Sequence, residues 1–445
     1  MGRGKAKQDW RRVPIREVYQ GLFDGPHATP KPSNEGPVFL GIGNITEDGR
    51  LDLNDVRHIA EEDFPFWTRR VEPQPGDIVF TYEATLNRYA IIPSGFRGCL
   101  GRRLALIRPN RDVIDHRFLF FYFFGEEWRK TIARSTLTGA TVDRIPLTRF
   151  PDFPIDLPPR PIQEEISGVL SAYDDVIENN TRRMQILEQM AQAIYREWFV
   201  HFRFPGYEKV KLVESPLGKI PQGWVVKPLE ALLIEHIGGG WGKDVPNAIQ
   251  TEPSWVIRGT DIPDARACQA ADVPLRYHKV SNLRARRLEA GDIIFEVSGG
   301  SKGQPVGRTL LVTTQVLSMF SGDTVICASF CKKVRPDTVG YGSELLYLSF
   351  VEGYQSGEIE RFQVQSTGIS NFKWTEYIQQ TQRMVPPQEI RSLFHDYVAP
   401  LFAQIATLGL KSANLRRTRD LLLPKLISGE LDVSELDIEN AEKVV

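Results

Sequence analysis

No apolar run in the chain approaches the roughly 18 residues that a membrane span requires, and MGRGKAKQDWRR at the start has no apolar core of the kind a signal peptide carries. The expected address is the cytoplasm, with no membrane partner. Cysteine is scarce: Cys99, Cys268, Cys327 and Cys331 form no CxxC cluster and have no histidine at ligand spacing, so reduced structural thiols are expected and no metal site. No GxxxxGK[ST] stretch is present to cradle a nucleotide phosphate. No lysine follows an aspartate or glutamate two positions earlier, which removes the usual pattern of a metal-dependent nuclease. The seven histidines are scattered singly, and only His27, inside a glycine and proline loop, stands where a ligand is expected.

A net charge of −1 over 445 residues argues weakly against nucleic acid, yet averages hide segregation. Glu430, Asp432, Glu435, Asp437, Glu439 and Glu442 form an acidic tail, so the rest of the chain is more basic than the total implies. Short basic clusters stand at Arg69-Arg70, Arg102-Arg103, Arg276 with Lys279, and Arg284 with Arg286-Arg287. Each alone reads as solvated surface; their concentration in the segments outside the long helices points to phosphate contact. With 41% hydrophobic and 25% charged residues, the composition is that of a globular chain of two to four domains.

What the sequence does have is a long heptad seam. Ile166, Leu170, Tyr173, Ile177, Asn180, Met184, Leu187, Ala191, Ile194 and Trp198 follow one another in alternating steps of four and three. Pro159 and Pro161 suit a helix start, and Pro205-Gly206 an end, so residues 158–208 are expected to form one rod of roughly 60 Å. From Pro386 onward the pattern returns: Ile390 stands 224 positions after Ile166. The same shift carries Ile177, Asn180 and Met184 onto Leu401, Gln404 and Leu408. These six are the expected pairing residues of an antiparallel coiled coil, with Asn180 facing Gln404 as a polar pair that fixes register.

The flanking segments repeat as well. Trp10-x3-Pro14 recurs as Trp224-x3-Pro228, FLGIGNI (39–45) as VIRGTDI (256–262), and PGDIVF (75–80) as AGDIIF (290–295). Gly25, in DGPHATP, aligns with Gly242 in GGGWGKDVP, and Thr138-Gly139 with Thr367-Gly368. Landmarks in one order, each set followed by a long helix, make this a tandem duplication of a module of roughly 200 residues. FLGIG has the look of a methyltransferase cofactor loop, but no Asn-Pro-Pro-Tyr-like stretch follows it, and the repeat puts Arg258 and Thr260 where Gly41 and Gly43 stand; it reads as a strand end. Apolar alternations such as DIVFTY, RRLALIR, DIIFEV and DTVICASF read as strands, and FLFFYFFGEEWRKTIA and ELLYLSFVEGYQSGEIERF as helices. The expected fold class is α+β: two mixed globular domains, 1–157 and 209–385, alternating with two helical regions, 158–208 and 386–445, that pair as an antiparallel coiled coil with pseudo-two-fold symmetry.

On LPPRPIQEEISGVLSAYDDVIENN and WF in the centre, RDLLLPKLISGEL near the end, the DGPHATP loop and STGISN, the chain resembles the specificity subunit of type I restriction-modification systems over nearly its whole length. The second helical region departs from the pattern at Lys411 and Thr418. The resemblance implies a non-catalytic reader of double-stranded DNA with two target-recognition domains. Its implied partners are two methylation subunits, which bind S-adenosylmethionine and modify adenine, and restriction subunits, which use ATP and Mg; no cofactor is implied on this chain. Two domains on a spacer would read a split site with an unread gap, through loop side chains in the grooves. The expected DNA contacts are His27, Arg88 and Arg102 in the first domain, and Lys243, Lys302, Ser370 and Lys373 in the second, the glycine-rich Val297 to Gly307 loop among them. Two other classes stay open: an enzyme with a degenerate motif, and a scaffold that assembles catalytic subunits without reading DNA.

Overall fold

A computed structural model describes residues 9–138, 142–269, 272–299, 305–366 and 369–433. The chain divides into two compact units, one drawn from Met1–Asp175 and Arg416–Val445, the other from Val176–Leu415.

Among the described residues of the first unit, nine strands form three sheets: β1 (Arg11–Pro14), β2 (Tyr19–Asp24), β3 (Ser33–Leu40), β4 (Arg57–His58), β5 (Ile78–Thr81), β6 (Tyr89–Ile91), β7 (Gly98–Leu100), β8 (Leu104–Pro109) and β9 (Pro154–Leu157). The orders are β2-β8-β5-β6, β4-β3-β7 and β1-β9. Every residue of β5 is buried, which is why its first three residues, IVF, are a continuous apolar run and not an alternation. Against it lies an aromatic core of Phe80, Tyr89, Phe118, Phe123, Trp128 and Phe150. The Trp128 Nε1–H donates to the Tyr89 hydroxyl at 2.9 Å, so neither ring buries an unmet polar atom. FLFFYFFGEEWRKTIA forms two helices, His116–Tyr122 and Glu126–Ser135, not one. The break falls at Gly125, where a Cβ would stand 2.8 Å from the Ile427 side chain.

The second unit carries β10 (Leu212–Ser215), β11 (Gly218–Pro221), β12 (Val225–Pro228), β13 (Leu233–Gly238), β14 (Glu252–Ile257), β15 (Leu275–His278), β16 (Ile293–Glu296), β17 (Ser298–Gly299), β18 (Thr309–Leu311), β19 (Val325–Cys327), β20 (Cys331–Pro336), β21 (Gln363–Ser366), β22 (Ile369–Phe372) and β23 (Gln382–Val385). Its sheets β13-β20-β16-β18, β15-β14-β19 and β12-β23 repeat the three of the first unit strand for strand. The one parallel pair of each three-stranded sheet is also repeated, β3 with β7 and β14 with β19. Two further sheets, β10-β11 and β17-β22-β21, are extra.

The strand-end landmarks fall on duplicated geometry. Asn44 Oδ1 accepts from the Gly41 N–H at 2.8 Å, and Asp261 Oδ2 accepts from the Arg258 N–H at 2.8 Å, so FLGIGN and VIRGTD end their strands with the same side-chain cap. One alignment shifts. Gly25 N–H donates to Leu104 O at 2.9 Å, and the equivalent bond in the second unit runs from Gly239 N–H to Cys331 O at 3.0 Å. Gly239, not Gly242, is therefore the counterpart of Gly25.

The first long helix runs Arg160–Tyr195 and continues as a π-helical turn, Arg196–Val200; the second runs Gln388–Ile427. The first stops short of Pro205 because Phe202 takes a left-handed conformation, φ 58°. In the first unit, Ile166 and Leu170 share a core with Leu426 and Ile427, and Asp174 pairs with Arg419. In the second, the Phe394 ring packs 4.8 Å from Phe199 and 5.7 Å from Trp198. Each unit thus joins the start of one helix to the end of the other, which is antiparallel pairing.

In the seam of the first helix Ile177, Asn180 and Met184 are buried. That of the second is corrected at alternate positions. Phe394 and Leu408 are buried and Leu401 half-buried, but Tyr397, Gln404 and Lys411 are exposed, and Val398 and Ser412 take the inward places. Fixed transfer from the first helix put these positions one residue too early; the helix itself steps 394, 398, 401, 405, 408, 412. Gln404 consequently does not face Asn180.

Candidate nucleic-acid interface

In the first unit the DGPHATP loop leaves β2 and crosses the turn between β7 and β8. A Cβ on Gly25 would stand 2.1 Å from the carbonyl oxygen of Gly101, so only glycine lets the two loops touch. This contact gathers chemistry from distant parts of the chain. His27 Nε2 lies 2.9 Å from Asp24 Oδ2, the Tyr82 hydroxyl donates to Arg102 O at 3.1 Å, and Arg70 bonds Asp24 and the Gly25 carbonyl. Burial first, then the nearby Asp24 and Glu83 carboxylates, push the Tyr82 hydroxyl up to about 12, so it stays a donor. Beside the contact opens a cleft of about 590 Å³, lined in part by Thr29, Asn44, Arg57, Arg102 and Arg103. Arg57 and Arg102 are exposed there, and the Arg102 guanidinium has no partner among the described residues. Two free cations and a flat ring beside a concave face can hold phosphate and approach a base edge.

In the second unit the matching loop leaves β13 as GGGWGKDVP. Gly239 fits against Cys327 O and Ala328 O as Gly25 fits against Leu100 O and Gly101 O. The loop is pinned from several sides. Gly240 N–H donates to Cys327 O at 2.9 Å, Arg286 Nε to Gly238 O at 2.9 Å, and Lys243 exchanges two backbone bonds with Tyr277 at 3.0 and 2.9 Å. Arg276 Nε donates to Trp241 O at 3.1 Å, and its guanidinium lies 4.4 Å from the Trp241 ring centroid. Around them Lys243, Lys279, Arg284 and Arg287 are exposed. Burial, together with Arg276 and Arg286, holds His278 below the usual histidine range, so it adds no charge at neutral pH.

Residues 45–189 match the family model described as Type I restriction modification DNA specificity domain. The chain is 26% identical over 431 residues to the type I restriction enzyme MjaIX specificity subunit of Methanocaldococcus jannaschii, covering 95% of this chain and 90% of that one. It is 23% identical over 480 residues to the HindI specificity subunit of Haemophilus influenzae, covering 95% and 100%. Its fold is similar to the crystal structure of a type I restriction-modification S subunit from M. genitalium, with a TM-score of 0.53 at 11% identity over 94% of this chain and 96% of that one. The chain is similar to type I specificity subunits along nearly its whole length. Among the described residues, no helix is long and apolar enough to cross a membrane, and no group of three or more His, Cys, Asp or Glu is placed to hold a metal ion.

The residues expected to touch DNA divide into four sets. His27, Arg102 and Lys243 stand exposed on the two matched loop systems. Ser370 and Lys373 lie on and beside β22, where Ser370 pairs with Gly299 and Gln365 through the strand ladder and Lys373 pairs with Glu376 at 3.1 Å. Arg88 is turned inward: it bonds Glu47 at 2.8 Å and the Ile45 carbonyl at 3.3 Å. Its counterpart Arg308, at the start of β18 as Arg88 is at the start of β6, forms a two-bond pair with the buried Glu296 at 2.8 and 2.6 Å. Lys302, with the rest of residues 300–304 in the Val297 to Gly307 loop, lies outside the described residues. Sequence reasoning passed over Arg57 and Trp241; for Trp241 the signal was an aromatic residue set in a run of glycines.

Proposed function

We propose that the chain is a non-catalytic, sequence-specific DNA-binding subunit that reads a bipartite target, one half through residues 1–157 and the other through 209–385, with unread base pairs between. The helical regions 158–208 and 386–445 serve as the spacer and as the platform for the enzymatic subunits. One observation supports this reading above the others: the same three sheets occur twice, and each copy carries the same glycine-seated loop edged with exposed cations. A duplicated binding face on separate cores suits a target that is itself in two parts. In this reading the partners are double-stranded DNA, two methylation subunits that bring S-adenosylmethionine, and restriction subunits that bring ATP and Mg, all in the cytoplasm. No cofactor is assigned to this chain.

Selection of duplexes from a random pool by the full chain tests the proposal. Two blocks of fixed sequence at a constant separation are expected. A single uninterrupted block, or no enrichment, would overturn it.

A further inference from the structure

We infer that Trp241 is a stacking residue for the second half-site, its indole laid against a base that has been unstacked from its neighbour; this rests on the DNA-reading proposal above. Trp241 is 41% exposed, whereas Trp224, Trp374 and the other large aromatics of the second unit's core are nearly closed to solvent. An exposed indole on a soft loop would carry little meaning. This loop is not soft. Gly239, Gly240 and Lys243 are fixed by backbone hydrogen bonds on either side of the ring, and the Trp241 carbonyl itself is held by Arg276. Gly242 takes φ 69°, and a Cβ there would stand 2.5 Å from Tyr277 O, so the turn that presents the indole needs glycine.

The ring also has one face already occupied by a cation. The Arg276 guanidinium sits 4.4 Å from its centroid and is held in turn by Asp244. A guanidinium over one face fixes the indole plane and leaves its other side and edge for a π partner. The remaining exposed cations nearby, Lys243, Lys279 and Arg284, suit the phosphates that flank such a base. The repeat supplies independent support: two residues beyond Gly239 stands Trp241, and two residues beyond Gly25 stands His27, whose side chain is 57% exposed. The duplicated module places a flat ring at one loop position in both copies, small and polar in the first, large and apolar in the second. The two half-sites are then read differently: the first by hydrogen bonds from His27, the second by a ring that every base can stack upon and that demands a deformable step.

The test is a cycle between protein and DNA, using the full chain and the duplex it selects from a random pool. Abasic sugars are placed one at a time through each half-site. With the unaltered chain, one position in the second half-site is expected to lower affinity about 5- to 150-fold, the range of a base–aromatic stack. Trp241→Ala is expected to show the same loss on the intact duplex, no further loss at that one abasic position, and an unchanged response across the first half-site. Trp241→Phe should retain part of the affinity and so separates loss of the stack from loss of the fold. Full affinity in Trp241→Ala, losses that add at every position, or loss of both half-sites together would overturn the inference. A chain that selects no sequence at all would overturn the DNA-reading proposal and this one with it.

Discussion

Asp77 and Arg108 form a two-bond ion pair, 3.0 and 2.8 Å, that ties the lead-in of β5 to β8. Asp292 and Arg335 repeat it at 2.7 and 2.8 Å between β16 and β20. Each aspartate also accepts a backbone bond at 2.8 Å, from Gln74 N–H in one copy and from Glu289 N–H in the other. Both aspartates are buried, so the pair and the turn satisfy a charge that would otherwise be stranded at the start of an interior strand.

Asp77→Asn is expected to cost about 2–4 kcal/mol, because it leaves Arg108 uncompensated while keeping the side-chain volume. Hydrogen exchange is the measurement of choice, since a two-unit chain need not unfold in one step. Protection should fall in β2, β5, β6 and β8 and hold in the second unit. Asp292→Asn should do the reverse.

The corrected seam makes a second prediction. Ser412 is fully buried and, among the described residues, its hydroxyl has no hydrogen-bond partner. Ser412→Ala should therefore raise stability by about 1 kcal/mol, read from the denaturant midpoint. Gln404→Leu, at an exposed position, should change it by less than about 0.5 kcal/mol. Strong stabilisation by the Gln404 change would restore the register that the heptads of the first helix implied.

Acidification should loosen both units. Burial is the main cause that lowers His278 in the second unit and His116 in the first, with neighbouring arginines adding to it and Asp115 opposing it at His116. A base whose folded pKa lies below its unfolded value of 6.5 binds fewer protons folded than unfolded. Stability is then fully present above about pH 6.5 and falls as the pH drops toward the folded pKa. Melting temperature measured from pH 7.5 to 5 should decline, and His278→Gln should flatten part of that decline.

Much of this architecture was legible in the sequence because it is periodic or repeated. The heptads of the first helix and paired landmarks such as PGDIVF and AGDIIF each report local geometry that recurs. What escaped was set by contacts between distant residues. Gly239 and Gly242 both sit in a glycine run, and only the bond to Cys331 shows which one matches Gly25. Arg88 and Arg102 look alike as loop arginines, yet Glu47 turns one inward and nothing among the described residues claims the other. The division into units ran through the long helices because Leu426, Ile427 and Val433 complete the core of the first unit from the far end of the chain. The one-residue slip at Val398 and Ser412 arose because a fixed shift cannot report how a helix rotates to meet its own partner.

The central claim, that each unit reads its own half of a split site, is tested most directly by exchanging residues 216–385 for the equivalent segment of a relative such as the Haemophilus influenzae specificity subunit, then repeating the duplex selection with the hybrid chain. The account predicts that one block of the selected motif changes while the other stays as it was. A change in both blocks, or in neither, would contradict it.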